Sequence, residues 1–343
     1  MSRTSTSARI PVILDVDTGI DDSLALLYAC ASPEAELLAA TCVAGNVGAP
    51  QVAENTRAVL ELAGRPDVEV ALGRTLPLVR PLITAPETHG PRGLGYAELP
   101  ASELPLSERH AADLLIAEAR RRPGEVMLVA VGPQTNLAVA VLREPALPLL
   151  LRRLVFMGGA YRVPGNTAPT SEWNIAVDPD AAKVVLTAFG APEVQAEREE
   201  RGLPPRPLAL GLDVTERAKL TPAHLRRLED RAGATPETNR VLRFIADALR
   251  FYMEFHSRFD RFYGAFIHDP LAVAAALDPT LVRTEALAVD VELGGTLTLG
   301  ETVTDWRRRW GRPPNLDIAL EADVERFFEG FVARLATLAA AQG

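Results

Sequence analysis

Apolar positions along the chain fall into runs whose period keeps changing. Residues 10–15 are a short run rich in Val and Ile, followed by an Asp/Thr/Gly stretch and then by helical spacing over 23–31. That order reads as strand, loop, helix. A second apolar run, 36–43, ends at Gly45-Asn46, and helical spacing returns over 51–63, with Val52, Thr56, Val59, Leu60 and Ala63 along one side. A short strand is expected at 68–72, a helix at 109–121, and a strand at 125–131 that runs straight into Gly132-Pro133. Then come helical spacing at 137–142, a strand at 154–157 ending in Gly158-Gly159, and a helix at 180–189.

Strands alternating with helices predict βαβ units, hence an α/β fold: a mainly parallel twisted sheet flanked by helices, with a Rossmann-like core. Ligands of such sheets bind beyond the carboxyl ends of the strands. Four strand ends carry suggestive residues: Asp15-Val16-Asp17, Gly45-Asn46, Val131-Gly132 and Met157-Gly158-Gly159. The pattern alone brings them to one edge. Further on, 193–207 is charged and proline-bearing, and reads as a surface insertion between a helix and the strand at 208–212. A long helix at 238–257 leads by a loop into His268-Asp269-Pro270, a helix at 271–277, short strands including 286–293, and a closing helix at 323–340. With no repeat, low-complexity tract or linker, a single domain is expected over 10–340, behind a flexible tail at 1–9.

Composition narrows the function only slightly. The 343 residues are 48% hydrophobic and 24% charged, enough for a sizeable core without disulfides. A net charge of −9 argues against nucleic acid or an anionic membrane as the main partner. Cys30 and Cys42 sit in apolar segments and read as small buried hydrophobes in a reducing compartment. No Cys/His cluster suggests zinc, the first nine residues lack a secretory apolar region, and the apolar stretch 147–157 is broken by Arg152 and Arg153. A soluble cytoplasmic protein is expected.

The densest chemistry lies in Asp15-Val16-Asp17-Thr18-Gly19-Ile20-Asp21-Asp22, four carboxylates in eight residues. Acids at a helix N-terminus complement its dipole, which accounts for one or two of them. Four at the buried end of a strand repel one another and call for a cation, and a hard divalent metal with oxygen ligands is the natural one. In His268-Asp269-Pro270, the plain reading makes Asp269 a cap with Pro270 opening the helix. Asn166, Glu172 and Asn174 share a polar loop; they are ordinary turn residues, and also the groups that hold sugar hydroxyls.

Together these segments resemble the inosine-uridine-preferring nucleoside hydrolase family, from residue 10 to about 335. The aspartate motif is followed in order by Val43-Ala44-Gly45-Asn46, Gly132-Pro133-Gln134-Thr135-Asn136, Phe156-Met157-Gly158-Gly159, the Asn166/Glu172/Asn174 loop with Asp178-Pro179, and His268-Asp269-Pro270. The resemblance implies calcium-dependent hydrolysis of the N-glycosidic bond of ribonucleosides. It implies side-chain calcium ligands at Asp17, Asp22 and Asp269, and a backbone ligand at Val131, where many members have threonine. Asp17 would also be the base that takes a proton from water. Asp21 and Asn174 would hold the 2′- and 3′-hydroxyls with Asn46 close by, and Asn166 and Glu172 the 5′-hydroxyl. Met157 would line the sugar pocket, His268 would face the leaving base as its acid, and His89 would lie near the base.

Thr18 stands where proline is usual, the 193–207 stretch has no counterpart in compact members, and Tyr252, His256, Tyr263 and Phe266 fall in a segment that varies with base preference. The expected partner is a small ribonucleoside, not nucleic acid or membrane, and a homo-oligomer, dimer or tetramer, is expected. Two rivals remain at this point: a nucleoside- or ribose-binding protein that has lost catalysis, and a haloacid-dehalogenase-type phosphatase, whose motif Asp15-x-Asp17 echoes, although neither Lys183 nor Lys219 precedes the acidic magnesium motif that family wants.

Overall fold

The computed structural model describes residues 9–342, so most of the tail expected at 1–9 lies outside the described residues. In chain order the strands are β1 (Ile10–Val16), β2 (Ala35–Cys42), β3 (Glu69–Leu72), β4 (Met127–Ala130), β5 (Arg153–Met157), β6 (Leu208–Leu210), β7 (Lys219–Leu220), β8 (Ala265–Phe266), β9 (Val282–Leu287), β10 (Val289–Val291), β11 (Thr302–Thr304) and β12 (Leu316–Ala322). Eight of them form one sheet in the order β3-β2-β1-β4-β5-β6-β12-β9. Every neighbouring pair in it is parallel except β12 with β9. The expected α/β fold with a mainly parallel sheet is therefore the observed one. The apolar stretch expected as a strand at 286–293 is divided between β9 and β10, and β10 pairs with β11 away from the main sheet.

Both faces of the sheet are covered, which is why β1 reads as a nearly unbroken apolar run. Val12, Leu14 and Val16 pack with the Ile20–Cys30, Arg240–Phe259, Asp269–Leu277 and Val324–Gln342 helices. Ile13 packs into the opposite layer, with the Ala111–Arg121, Thr135–Arg143 and Pro179–Phe189 helices. From β1 the chain moves to β2 and β3 on one side, then returns to place β4 on the other side of β1. The strand order thus reverses at β1, and the loops leaving β1 and β4 part to open a crevice at their carboxyl ends.

The 193–207 stretch is more deeply docked than its charge suggests. It is built on a helix, Pro192–Glu200, whose Arg198 is only 3% exposed. The Arg198 guanidinium donates to the carbonyls of Leu151 (2.9 Å), Arg152 (2.6 Å), Pro204 (2.7 Å) and Pro148. A long cation satisfied by backbone oxygens can be buried without a carboxylate partner, and sequence pattern does not reveal that. Cys30 and Cys42 are both free thiols, with Cys42 buried. No helix among the described residues is long and apolar enough to cross a membrane.

Arg198→Met removes the donors that four carbonyls share. It should lower unfolding free energy in urea by about 2–4 kcal/mol, whereas Arg201→Met, which breaks an exposed pair with Glu197, should change it by less than about 1 kcal/mol.

Candidate active site

The loop after β1 is shaped by its own acids. Gly19 is extended and the Ile20–Cys30 helix begins at the next residue, earlier than apolar spacing suggests. Asp22 in its first turn reaches back, its Oδ1 accepting from the Asp17 N–H (3.0 Å) and its Oδ2 from the Gly19 N–H (2.9 Å). The capping role is therefore real for Asp22, which is fully buried. Asp15 points away from the loop into the sheet, where its Oδ1 accepts from Thr41 Oγ1 (2.5 Å) and Asn136 Nδ2 (2.8 Å). The four crowded carboxylates thus separate: Asp15 ties β1 to β2 and to the start of the Thr135–Arg143 helix, Asp17 and Asp21 turn toward the crevice, and Asp22 packs behind Asp17.

Asp17 is held between two glycine-bearing loops. Its Oδ2 accepts from the Asn46 N–H at 2.8 Å. A Cβ at Gly132 would lie 2.8 Å from its Oδ1, and one at Gly45 would overlap its Oδ2 outright. Asp21 ties the two ends of the site together: its Oδ2 accepts from the N–H groups of both His268 (2.8 Å) and Asp269 (3.0 Å), while its Oδ1 is buried without a partner. Asn46 Nδ2 donates to Asp22 (3.1 Å), leaving Asn46 Oδ1 unpartnered. Asn174 Nδ2 donates to the carbonyls of Val131 (2.7 Å) and Met157 (3.2 Å). Glu172 caps the Trp173–Val177 helix, accepting from the N–H groups of Asn174 (2.8 Å), Gly159 (2.9 Å) and Ile175 (3.2 Å).

These groups open into one cavity of about 230 Å³. Asp17, Asp21, Asn46, His89, Val131, Met157, Asn166, Glu172, Asn174, His268 and Asp269 all line it, and Asp22 lies behind Asp17. Glu87, Thr88, Thr167, Trp173 and Tyr252 line it too. Sequence reasoning placed Tyr252 in the segment that varies with base preference and gave the other four no role, although Trp173 stands between two residues that it did name. His89 is drawn in by the helix start, its Nδ1 accepting from the Ile20 N–H at 3.1 Å. His268 Nδ1 lies 2.8 Å from Thr215 Oγ1.

Burial dominates the electrostatics. It raises the carboxyl pKa of Asp17, Asp22, Asp269 and Glu172 above the usual range, and that of Asp21 to about 8. Repulsion from neighbouring acids adds to the rise at Asp17, Asp21 and Asp269. Asp17 and Asp22 lie side by side, and the Asp22 carboxyl adds to the rise at Asp17. Among the described residues, none of the five acids forms an ion pair with a basic side chain. The imidazoles of His89 and His268 are pushed down to about 3, first by burial and then by other histidines. No three Asp, Glu, His or Cys side chains among the described residues converge as a finished metal cage, and the Val131 carbonyl is engaged by Asn174. By chemistry the donors nevertheless fit a hard cation: acidic oxygens, buried, with no positive charge against them.

The sequence model for the inosine-uridine preferring nucleoside hydrolase matches residues 12–329. The chain belongs to that family. This nucleoside hydrolase is 38% identical over 330 residues to a pyrimidine-specific ribonucleoside hydrolase of Klebsiella pneumoniae, covering 95% of this chain and 98% of the relative. It is 37% identical to an inosine-uridine preferring nucleoside hydrolase of Leishmania major, over 92% of this chain and 94% of the relative. Among solved structures, a purine-preferring ribonucleoside hydrolase from Gardnerella vaginalis superposes with a TM-score of 0.86 at 32% identity, covering 96% of this chain and 99% of that one. The three relatives carry three different base preferences in their names. A match along almost the whole chain also leaves no place for the phosphatase alternative.

Gly45→Ala tests how closely this nucleoside hydrolase packs its loops around Asp17. The added methyl should displace the carboxylate and cut turnover by at least about 100-fold, with the far-ultraviolet dichroism of the wild-type fold retained.

Proposed function

We propose that this nucleoside hydrolase cleaves the N-glycosidic bond of ribonucleosides, giving ribose and free base, with a calcium ion held by Asp17, Asp22, Asp269 and the Val131 carbonyl. The observation that carries the reading is a cavity at the strand-order reversal whose floor is acid upon acid without a basic partner. A bound calcium would supply the missing positive charge and lower the pKa of a bound water.

The chain's own groups then divide the work. Breaking the N-glycosidic bond builds positive charge on the sugar and negative charge on the base. Asp17, fixed by the Asn46 N–H, accepts the proton of the attacking water. Asp21 Oδ1 and Asn46 Oδ1 are buried acceptors without partners, and sugar hydroxyls satisfy such atoms. Asn174 stands beside them, and Asn166 and Glu172 mark the side where the 5′-hydroxyl sits. Holding the ribose at several hydroxyls aligns its anomeric carbon with the water, and nearby carboxylates favour the developing oxocarbenium charge. His268 meets the departing base, with His89 on the same wall.

A panel of nucleosides assayed for free ribose tests the activity itself, and a chain that binds nucleosides without releasing ribose would be a binder. Exhaustive chelation should abolish release and calcium should restore it. Calcium should also raise the melting temperature of the chelated protein, by mass action on the folded state; full turnover after chelation would exclude the metal. His268→Ala should slow the preferred nucleoside by roughly 100-fold while largely sparing a nitrophenyl riboside, whose leaving group needs no proton. Equal slowing of both substrates would assign His268 to the sugar or the fold.

A further inference from the structure

Residues 166–174 carry Asn166, Thr167, Glu172, Trp173 and Asn174 into the cavity wall. The backbone of this stretch is tied down at close intervals. Gly165 donates its N–H to the Pro169 carbonyl (3.0 Å), and the Trp173 N–H goes to Asn166 Oδ1 (3.0 Å). Trp173 then opens the Trp173–Val177 helix, which the Glu172 side chain caps. Its indole therefore hangs from a clamped peptide, with few side-chain torsions left to vary. Yet the indole nitrogen Nε1 is buried and has no hydrogen-bond partner among the described residues. Thr170 Oγ1 is also buried without a partner, but Thr170 is not part of the cavity wall.

The polar groups on either side of the indole are already committed. Asn166 Oδ1 takes the Trp173 N–H and the Thr167 hydroxyl (3.3 Å). Asn174 Nδ2 donates to the Val131 and Met157 carbonyls. The Glu172 carboxylate accepts from three N–H groups, those of Gly159, Asn174 and Ile175. A carboxylate offers about four acceptor positions, so one remains. The stretch thus keeps an acceptor position open on Glu172 and a buried N–H on the next residue. An indole nitrogen is a donor only, and its hydrogen cannot rotate, so an incoming acceptor must come to it. Leaving such a donor unmatched is costly. A hydroxyl, with one hydrogen and two lone pairs, meets both needs at once.

We propose that Trp173 Nε1–H donates to the 5′-oxygen of the ribose, which makes Trp173 a determinant of selection for a free 5′-hydroxyl. The proposal rests on the hydrolase reading above, which puts that hydroxyl at Asn166 and Glu172 on this same stretch. The hydroxyl gives its hydrogen to the Glu172 carboxylate and takes the indole hydrogen on its own lone pair. Both partners are fixed before the substrate arrives, Glu172 by three backbone donors and Trp173 by its tie to Asn166. Little freedom is therefore lost when the sugar binds. A 5′-deoxynucleoside fills the same space and leaves the indole N–H stranded where it is buried. Discrimination of that kind comes from the site's own unpaired group rather than from bulk. Phenylalanine at this position would keep an aromatic wall and lose the donor.

The test compares Trp173→Phe with the wild-type enzyme on a ribonucleoside and on its 5′-deoxy analogue, both with calcium present. Wild-type kcat/KM should favour the ribonucleoside. Trp173→Phe should cut that preference by roughly 10-fold, through loss on the ribonucleoside alone. Equal loss on both substrates assigns Trp173 to packing, or its N–H to a buried water, and overturns the proposal. An unchanged preference overturns it too, and leaves the hydrolase reading intact. Should the variant fail to fold, the emission of the wild-type chain's three tryptophans supplies a second readout. D-ribose, at a concentration that halves turnover, should shift or quench that emission, and 5-deoxyribose at the same concentration should do so far less. Equal responses, or silence to both, overturn the proposal. Failure of the wild-type enzyme to release ribose from any nucleoside overturns both readings.

Discussion

Burying carboxylates together, with nothing basic against them, is the constraint on which the site and its surroundings depend. Each acid is expensive to ionise where it lies, and the chain meets the cost with backbone donors. Asp22 takes two N–H groups, Asp21 two, Glu172 three and Asp17 one. Those bonds fix the loops that carry them. The acids therefore build the cavity as much as they furnish it: removing Asp21 would release the His268-Asp269 turn as well as take an acid from the cavity wall. Backbone dipoles do not cancel a full charge, however, and the residual demand for a cation is what distinguishes this arrangement from ordinary capping.

Topology explains why so many loops can meet. The strand order reverses at β1, and the ends of β1, β2, β4 and β5 deliver Asp17, Asn46, Val131 and Met157 to one crevice. The Asp269–Leu277 helix, all nine of whose residues are buried, brings Asp269 against them from the other end of the chain. The glycines at 45 and 132 complete the fit by letting two backbones close on a single carboxylate.

Much of this was legible in the sequence, for identifiable reasons. Parallel strands buried on both faces leave apolar runs, and their polar ends stand out against them, so the sheet and its functional edge could both be read. Asp17, Asp21, Asp269, Glu172 and Asn174 were readable because they lie in compact motifs. Three things were not. Asp15 looks identical to its neighbours until strand pairing shows which face it takes. The 193–207 stretch has the composition of a loose loop, since nothing local reveals that Arg198 is satisfied by carbonyls some 50 residues earlier. His256 and Asp260 form a pair only if the helix places them one turn apart on its inner side, and an isolated histidine carries no such mark.

Asp21 and the His268-Asp269 turn it holds are 247 residues apart in the chain. Translation at about 5–20 residues per second takes roughly 10–50 s to cover that distance. Through that interval the acidic loop exists without the segment that completes it, and β1 without the helix that buries it. A nascent chain therefore exposes a charged, half-finished strand edge for most of its synthesis. The cavity can be complete only once His268 and Asp269 have been made and have closed on Asp21.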